Sequence, residues 1–383
     1  MSEEALGQRA VAAARAFRFA GAPRSIERYG SGHIHDTFAV RCDGPDGAAR
    51  YVLQRINAHV FREPERVIEN AVRVSEHLRQ QLAARGTPDL ERRALHWCEV
   101  RDGGFAYRDG AQGSWRACAL IEDTHTRDVV QSPAEAAAAG RAFGEFLAHM
   151  ADLDPGALHE VIPGFHDLRR YARRLEEASA ADRAGRARDC GDELAAVRHA
   201  LVQHGPAWAA LQALPRRVVH ADCKVNNVLL DAKSGEGVCV IDLDTVMAGY
   251  SADDFGQLAR GAACTADEDE RELARVRFDL VLFEALTQGF LMGSAGLLTP
   301  AERTALPDAP ALSALEHAVR FLTDHLEGDV YFRVHRAGQN LDRARAQRRL
   351  LEEMRAARGA IDEIVRGAVR KVAGTSRPTR SEA

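Results

Sequence analysis

The sequence predicts an α+β fold in which a small antiparallel sheet unit precedes a larger, mainly helical one. Three observations carry this expectation. Paired β-type runs flank a Gly-Pro-Asp-Gly turn near the start, one long amphipathic stretch follows them, and helical periodicity takes over after about residue 125.

In order along the chain, residues 1–20 read as an alanine-rich helix. Short β-type runs follow at 26–29, 37–41 and 50–56, and CDGPDGAA joins the last two as a hairpin. The stretch FREPERVIENAVRVSEHLRQQLA (61–83) places Ile68, Ala71, Val72, Leu78 and Leu82 at helical spacing, with Pro64 near its start. Two further β-type runs, 95–100 and 115–121, complete a sheet unit expected over 1–122. Ser132-Pro133-Ala134-Glu135 then reads as a capping box, and the helix it opens sets Phe143, Phe146, Leu147 and Met150 on one stripe. Short strands are expected again only at 218–220, 228–230 and 238–243. The helical lobe is expected over 123–373, with 374–383 (GTSRPTRSEA) as a disordered tail.

Composition narrows the function classes. The chain has 383 residues, 46% hydrophobic and 28% charged, which is ordinary for a soluble globular protein. A formal net charge of −5 recommends neither nucleic acid nor an anionic membrane as partner. The seven cysteines are scattered, odd in number and without a C-x-x-C pair, which argues against a disulfide framework or a structural zinc site. The first residues carry acids and no long apolar run, and no window is long and apolar enough to span a bilayer. These features point to a cytoplasmic protein.

The chemistry lies in VVHADCKVNNVLLDAKSGEGVCVIDLDTV. It holds His220, Asp222 and Asn227 in an H-x-D-x₄-N pattern, with Asp242 twenty residues beyond Asp222. Phosphoryl transfer needs one carboxylate to take the acceptor proton, and an Asn and a second Asp to hold the magnesium that bridges the nucleotide phosphates. The order and the separation both fit. Asp244 follows two residues on and joins the metal or acceptor site, or stands as a turn carboxylate.

This stretch resembles the catalytic segment of the aminoglycoside phosphotransferase and choline kinase superfamily, which shares the protein-kinase fold. Within it the chain resembles the N-acetylhexosamine 1-kinases, through YGSGHIHDTF (29–38), YVLQRIN (51–57), FREPERVIEN (61–70), HADCKVNNVLL (220–230), VIDLDTVMAGYSADDFG (240–256) and FLTDHLEGDVYF (321–332). The resemblance implies a two-lobed kinase that uses ATP and Mg²⁺ to phosphorylate the anomeric hydroxyl of an N-acetylhexosamine. It implies Asp222 as base, Asn227 and Asp242 as magnesium ligands, and His220 as a brace for the catalytic loop. The same chemistry on another small alcohol is the nearest alternative, and a nucleotide-binding pseudokinase a more distant one.

Gly30, Ser31 and Gly32 sit between two β-type runs, where such kinases fold a loop over the phosphates. His33, His35 and Asp36 are candidates for the acceptor. Most relatives carry a phosphate-gripping lysine on the third strand, paired with a helix glutamate. Here the strand reads Tyr51-Val52-Leu53-Gln54-Arg55. Gln54 and Arg55 are therefore the candidates for that grip, with Glu69 as helix partner and Glu65 or Glu76 as alternatives. Adenine is expected against residues 119–122, which end at Glu122. On the helical side the resemblance implies Arg320 and Tyr331 as sugar contacts.

Overall fold

A computed structural model describes residues 3–30, 34–44, 47–110 and 113–375. The fold is the one expected: an antiparallel sheet lobe followed by a helical lobe. Helix α1 (Glu3–Ala16) leads into β1 (Ala22–Arg28), β2 (Asp36–Gly44) and β3 (Gly47–Arg55), then α2 (Pro64–Ala84) and the single turn α3 (Leu90–Arg93). Strands β4 (Tyr107–Arg108) and β5 (Ser114–Ala119) complete a five-stranded sheet of order β1-β2-β3-β5-β4. The expected β2–β3 hairpin forms with Gly44 opposite Gly47; residues 45 and 46 at its tip lie outside the described residues.

Strand residues alternate between the two faces of a sheet, and here the faces have different neighbours. Phe38, Val40, Tyr51, Leu53, Trp115 and Ala117 bury against Leu6, Ala10, Ala14 and Phe17 of the α1 segment. Thr37, Val52, Gln54, Arg116 and Cys118 face a cleft on the opposite side. Pro64 occupies the first turn of α2, whose Ile68, Ala71, Val72, Leu78 and Leu82 are all buried, as the periodicity predicts. The run 95–100 is not a strand. It makes isolated bridges, Trp97 with Cys118 and Val100 with Phe17, because the edge of β5 that it would pair with is shared with β4.

The helical lobe starts after β6 (Thr124–His125) with α4 (Pro133–His149). Ser132 Oγ accepts from Glu135 N, but the Glu135 carboxylate turns to Gln131 N, so only half of the expected capping box forms. Helices α5 (Leu168–Ala181) and α6 (Gly191–Gln212) precede β7 (Arg217–Val219), β8 (Val228–Asp231), β9 (Gly237–Val240) and β10 (Met247–Gly249). After them come α7 (Ser251–Ala262), α8 (Leu280–Gly293), α9 (Pro300–Ala305), α10 (Ala309–Glu327), α11 (Gln339–Ala356) and α12 (Arg358–Thr375). Phe143, Phe146, Leu147 and Met150 are buried in the main core. Helices α4 and α8 approach backbone to backbone through glycines: a Cβ at Gly140 would lie 2.2 Å from Leu286 O, and one at Gly289 2.1 Å from Ala137 O. Helix α12 continues through Gly374 and Thr375, two residues expected in the tail; residues 376–383 lie outside the described residues. Among the described residues no helix is long and apolar enough to cross a membrane.

Candidate active site

Strands β8 and β9 run antiparallel, with Val228 opposite Val240, so the chain that leaves Asn227 returns beside it carrying Asp242. Ile241 N donates to Asn227 O at 2.9 Å and closes this return. Asp222, Asn227 and Asp242, separated in sequence, thereby line one cleft of about 710 Å³. The opposite wall is the open face of the five-stranded sheet, with Gly30, Gln54 and Arg116 among its residues.

The loop that carries Asp222 is restrained from several sides. Asp254 of α7 accepts from His220 N and Ala221 N, both at 2.8 Å. Thr245 Oγ1 donates to His220 O, and His166 Nε2 donates to Ala221 O at 2.8 Å. His220 Nε2 donates to Ile241 O while its Nδ1 accepts from Asp222 N, so it braces the loop against the Asp242 strand as expected. Ala221 needs this support, since its φ of 62° is unfavourable for a residue with a Cβ.

Electrostatics separates the three aspartates. Burial would raise the Asp222 carboxyl, but the Lys224 ammonium, 2.9 Å away, outweighs it with help from His220 and His166 and holds it below the usual carboxylate range. Asp222 is therefore ionised near neutrality, as a base must be. Asp242 is pushed up by burial and by the charges of Asp244 and Asp222. Asp244, buried between the lobes, is held well below the usual range: burial opposes its ionisation, and Arg116 and His35 more than offset it.

The residues suit a magnesium ion. Asn227 Nδ2 donates to Asp222 O at 2.9 Å, which leaves its Oδ1 without a protein donor among the described residues. Asp242 likewise receives no hydrogen bond from a described residue, and it stands under carboxylate repulsion that a cation would relieve. Magnesium takes few protein ligands and completes its shell with phosphates and water, so an Asn–Asp pair is an adequate donor set.

Several expected site residues lie elsewhere. Asp244 spends one carboxylate oxygen on Arg116 and the other on His35, so it joins the N-terminal lobe rather than a metal. His35 lines the cleft, but its Nε2 is taken by Asp244 and its Nδ1 accepts from Asn57 N at 3.1 Å. Asp36 and Arg55 pair with each other on the α1 face of the sheet, because strand alternation turns them away from the cleft that Thr37 and Gln54 face. Glu69 bonds His159 Nε2 with its side chain 60% exposed, while Glu65 holds Ser114 and Arg108. Glu76 lines a second cavity, which shares Leu95, Trp97 and Ala119 with the cleft, and not the cleft itself. Glu122 pairs with Arg50 at the surface, although its neighbours Ala119, Leu120 and Ile121 do line the cleft. Ser31, Gly32 and His33 lie outside the described residues.

Arg320 and Tyr331 come together in a separate cavity of about 120 Å³. The Arg320 guanidinium lies 5.2–6.0 Å from the ring centres of Phe165, Tyr171, Tyr331 and Phe332. Asp324 accepts from the amides of Val330, Tyr331 and Phe332, which fixes the chain that presents Tyr331. Glu316 joins Arg320 to His166, and His166 reaches the loop of Asp222 at Ala221 O.

Three of these residues escape a reading of the sequence. Lys224 has a local signal, a cation two positions after the base. Arg116 and His166 have none, since only the β3–β5 pairing and the helical packing bring them to the site.

A sheet lobe over a helical lobe, with an ionised aspartate and an Asn–Asp pair facing each other's reach in the cleft between, defines a protein-kinase-like phosphotransferase. The model of the phosphotransferase enzyme family APH matches residues 25–287, and the chain belongs to that family. Solved structures share the fold at low identity. An aminoglycoside phosphotransferase from Alicyclobacillus acidocaldarius is 15% identical with a TM-score of 0.56, covering 96% of each chain. A microcompartment-associated aminopropanol kinase is 16% identical with a TM-score of 0.58, covering 88% of this chain and 93% of its own. A choline kinase from Cryptosporidium parvum is 10% identical with a TM-score of 0.50, covering 91% and 92%.

Proposed function

We propose that this phosphotransferase moves the γ-phosphate of ATP to the anomeric hydroxyl of an N-acetylhexosamine, GlcNAc or GalNAc, giving the sugar 1-phosphate. The observation that carries the transfer chemistry is the convergence of Asp222, Asn227 and Asp242 in one cleft. Asp222, ionised, accepts the proton of the attacking hydroxyl at its carboxylate and orients that oxygen. Asn227 and Asp242 would hold Mg²⁺, which supplies neutralisation of the phosphate charge when bound. Lys224 is placed to leave Asp222 for the transferred phosphoryl oxygens as they arrive. The walls at Ala119–Ile121 receive the adenine.

The sugar assignment draws on the resemblance and is supported by the second cavity. Its aromatic faces and buried polar heads are what a sugar ring requires. Arg170, Arg174 and Arg320 outnumber Asp324 and Glu327 there, which disfavours a cationic amino alcohol.

A coupled ADP-release assay with MgATP against hexoses, N-acetylhexosamines, methylthioribose, choline and aminoglycosides tests the reading. GlcNAc or GalNAc should turn over, with phosphate on carbon 1 by phosphorus NMR. Arg320→Ala should raise the sugar KM about tenfold or more and leave the ATP KM within about twofold, since a lost partner for a buried polar group costs about 1–3 kcal/mol. Turnover of choline or an aminoglycoside alone would remove the sugar assignment.

A further inference from the structure

Strand β3 offers no lysine to the cleft, and Arg55, the nearest cation in sequence, is turned to the other face of the sheet. The cation that the cleft does hold comes from the adjacent strand. Arg116 of β5 is the cross-strand partner of Gln54 and lies on the same face. Its Nε and Nη2 both donate to Gln54 Oε1, at 3.1 and 2.9 Å, while Gln54 Nε2 donates to Thr37. The guanidinium therefore occupies the position at the end of the β3 side chain, which is where a lysine at 54 would carry its charge.

The rest of its environment fits a phosphate grip. Arg116 is 2% exposed and lies 4.9 Å over the Trp97 ring, so the head group is clamped in plane. Asp244 is its counter-ion, and the Asp244 carboxylate also accepts from His35, beside the loop of Gly30. A guanidinium has five N–H donors. Two go to Gln54, and the buried Nη1 stands in an ion pair with Asp244 without completing a hydrogen bond, so the other three donors remain without a hydrogen-bond acceptor among the described residues, on a side chain that lines the cleft.

We infer that Arg116 performs from β5 the task that relatives give to a β3 lysine, gripping the α- and β-phosphates, with Asp244 in place of the helix glutamate. The inference rests on the nucleotide reading above. It differs from the usual arrangement in the strand that supplies the cation and in its carboxylate, which belongs to the other lobe, so the cation has its counter-ion only when the lobes are together.

Calorimetry of adenosine and of MgADP, run on the parent and on Arg116→Gln, tests it. The parent should bind both ligands. Arg116→Gln should lose about 10- to 100-fold in MgADP affinity, the range of a charge-assisted contact to an ionised group, and keep adenosine within about twofold. Equal losses for both ligands, or no loss for MgADP, would overturn the inference. A parent that binds neither ligand would instead overturn the nucleotide reading. Should Arg116→Gln fail to fold, Gln54→Lys/Arg116→Gln returns one cation to the same face and carries the test. Retained preference for MgADP over adenosine supports the inference, and a lost preference overturns it.

Discussion

At the sheet end of the cleft a buried arginine, Arg116, faces an aspartate contributed by the other lobe. In the separate cavity beside α10 a largely buried arginine, Arg320, faces Glu316, one turn away on its own helix. Both cations are desolvated and both need a carboxylate, yet the two pairs are assembled differently. The Arg320 pair lies within α10, and four aromatic rings surround the guanidinium. The Arg116 pair exists only when β5 and the turn after β9 have been brought together. One is a local, preorganised contact. The other is an ion pair between lobes.

The sharpest way to break this picture is to remove Asp222, the proposed base. Asp222→Asn should lower turnover by roughly 10²–10⁴-fold, the usual contribution of a general base, with MgADP binding kept. Near-parent turnover would mean that the cleft geometry is not catalytic.

The next largest effect separates the two arginines. Asp244→Asn leaves Arg116 buried without its counter-ion, and removing one partner of a buried pair costs about 3–5 kcal/mol. Glu316→Gln should cost less, because the rings around Arg320 continue to stabilise its charge. Urea unfolding of the two variants measures the difference, and a larger loss for Glu316→Gln would reverse the comparison.

A smaller effect is expected with pH. Burial would lower the His166 imidazole, but the Glu316 carboxylate outweighs it, and His166 is pushed up to about 9. A histidine raised above its unfolded value of about 6.5 contributes stability that is complete below that pH and is lost as pH rises towards 9. Unfolding free energy should therefore fall across this window in the parent, and Glu316→Gln should flatten the fall. A parent profile that rises there would show that His166 is neutral in the fold.

The smallest effect belongs to Arg55. Its ion pair with Asp36 is part-exposed and faces away from the cleft, so Arg55→Gln should cost no more than about 1 kcal/mol and leave the ATP KM unchanged. A clear rise in that KM would put Arg55 back at the phosphates and weaken the case for Arg116.

Much of the molecule was legible beforehand, for definite reasons. The β2–β3 hairpin, α2 and α4 rest on local signals, turn glycines and a 3.6-residue apolar period, and all three formed. Asp222, Asn227 and Asp242 were readable because one short loop and one hairpin separate them, so their spacing already encodes their meeting. The strand proposed at 95–100 failed because pairing depends on a free partner edge, and β4 had taken part of it. Thr299 and Glu302 form the complete capping box that Ser132 and Glu135 do not, because Glu135 is drawn to Gln131 N and Arg127.

The sequence by itself determined the order of lobes, the spacing that brings Asp222, Asn227 and Asp242 together, and the absence of a lysine on β3. Those are properties of composition, period and spacing within a few tens of residues. Which face Arg55 takes, which carboxylate meets the buried cation, and that Arg116 stands at the end of Gln54 were decided only by tertiary structure. Strand parity, sheet order and the contact between lobes set them, and each depends on residues from distant parts of the chain arriving at one place.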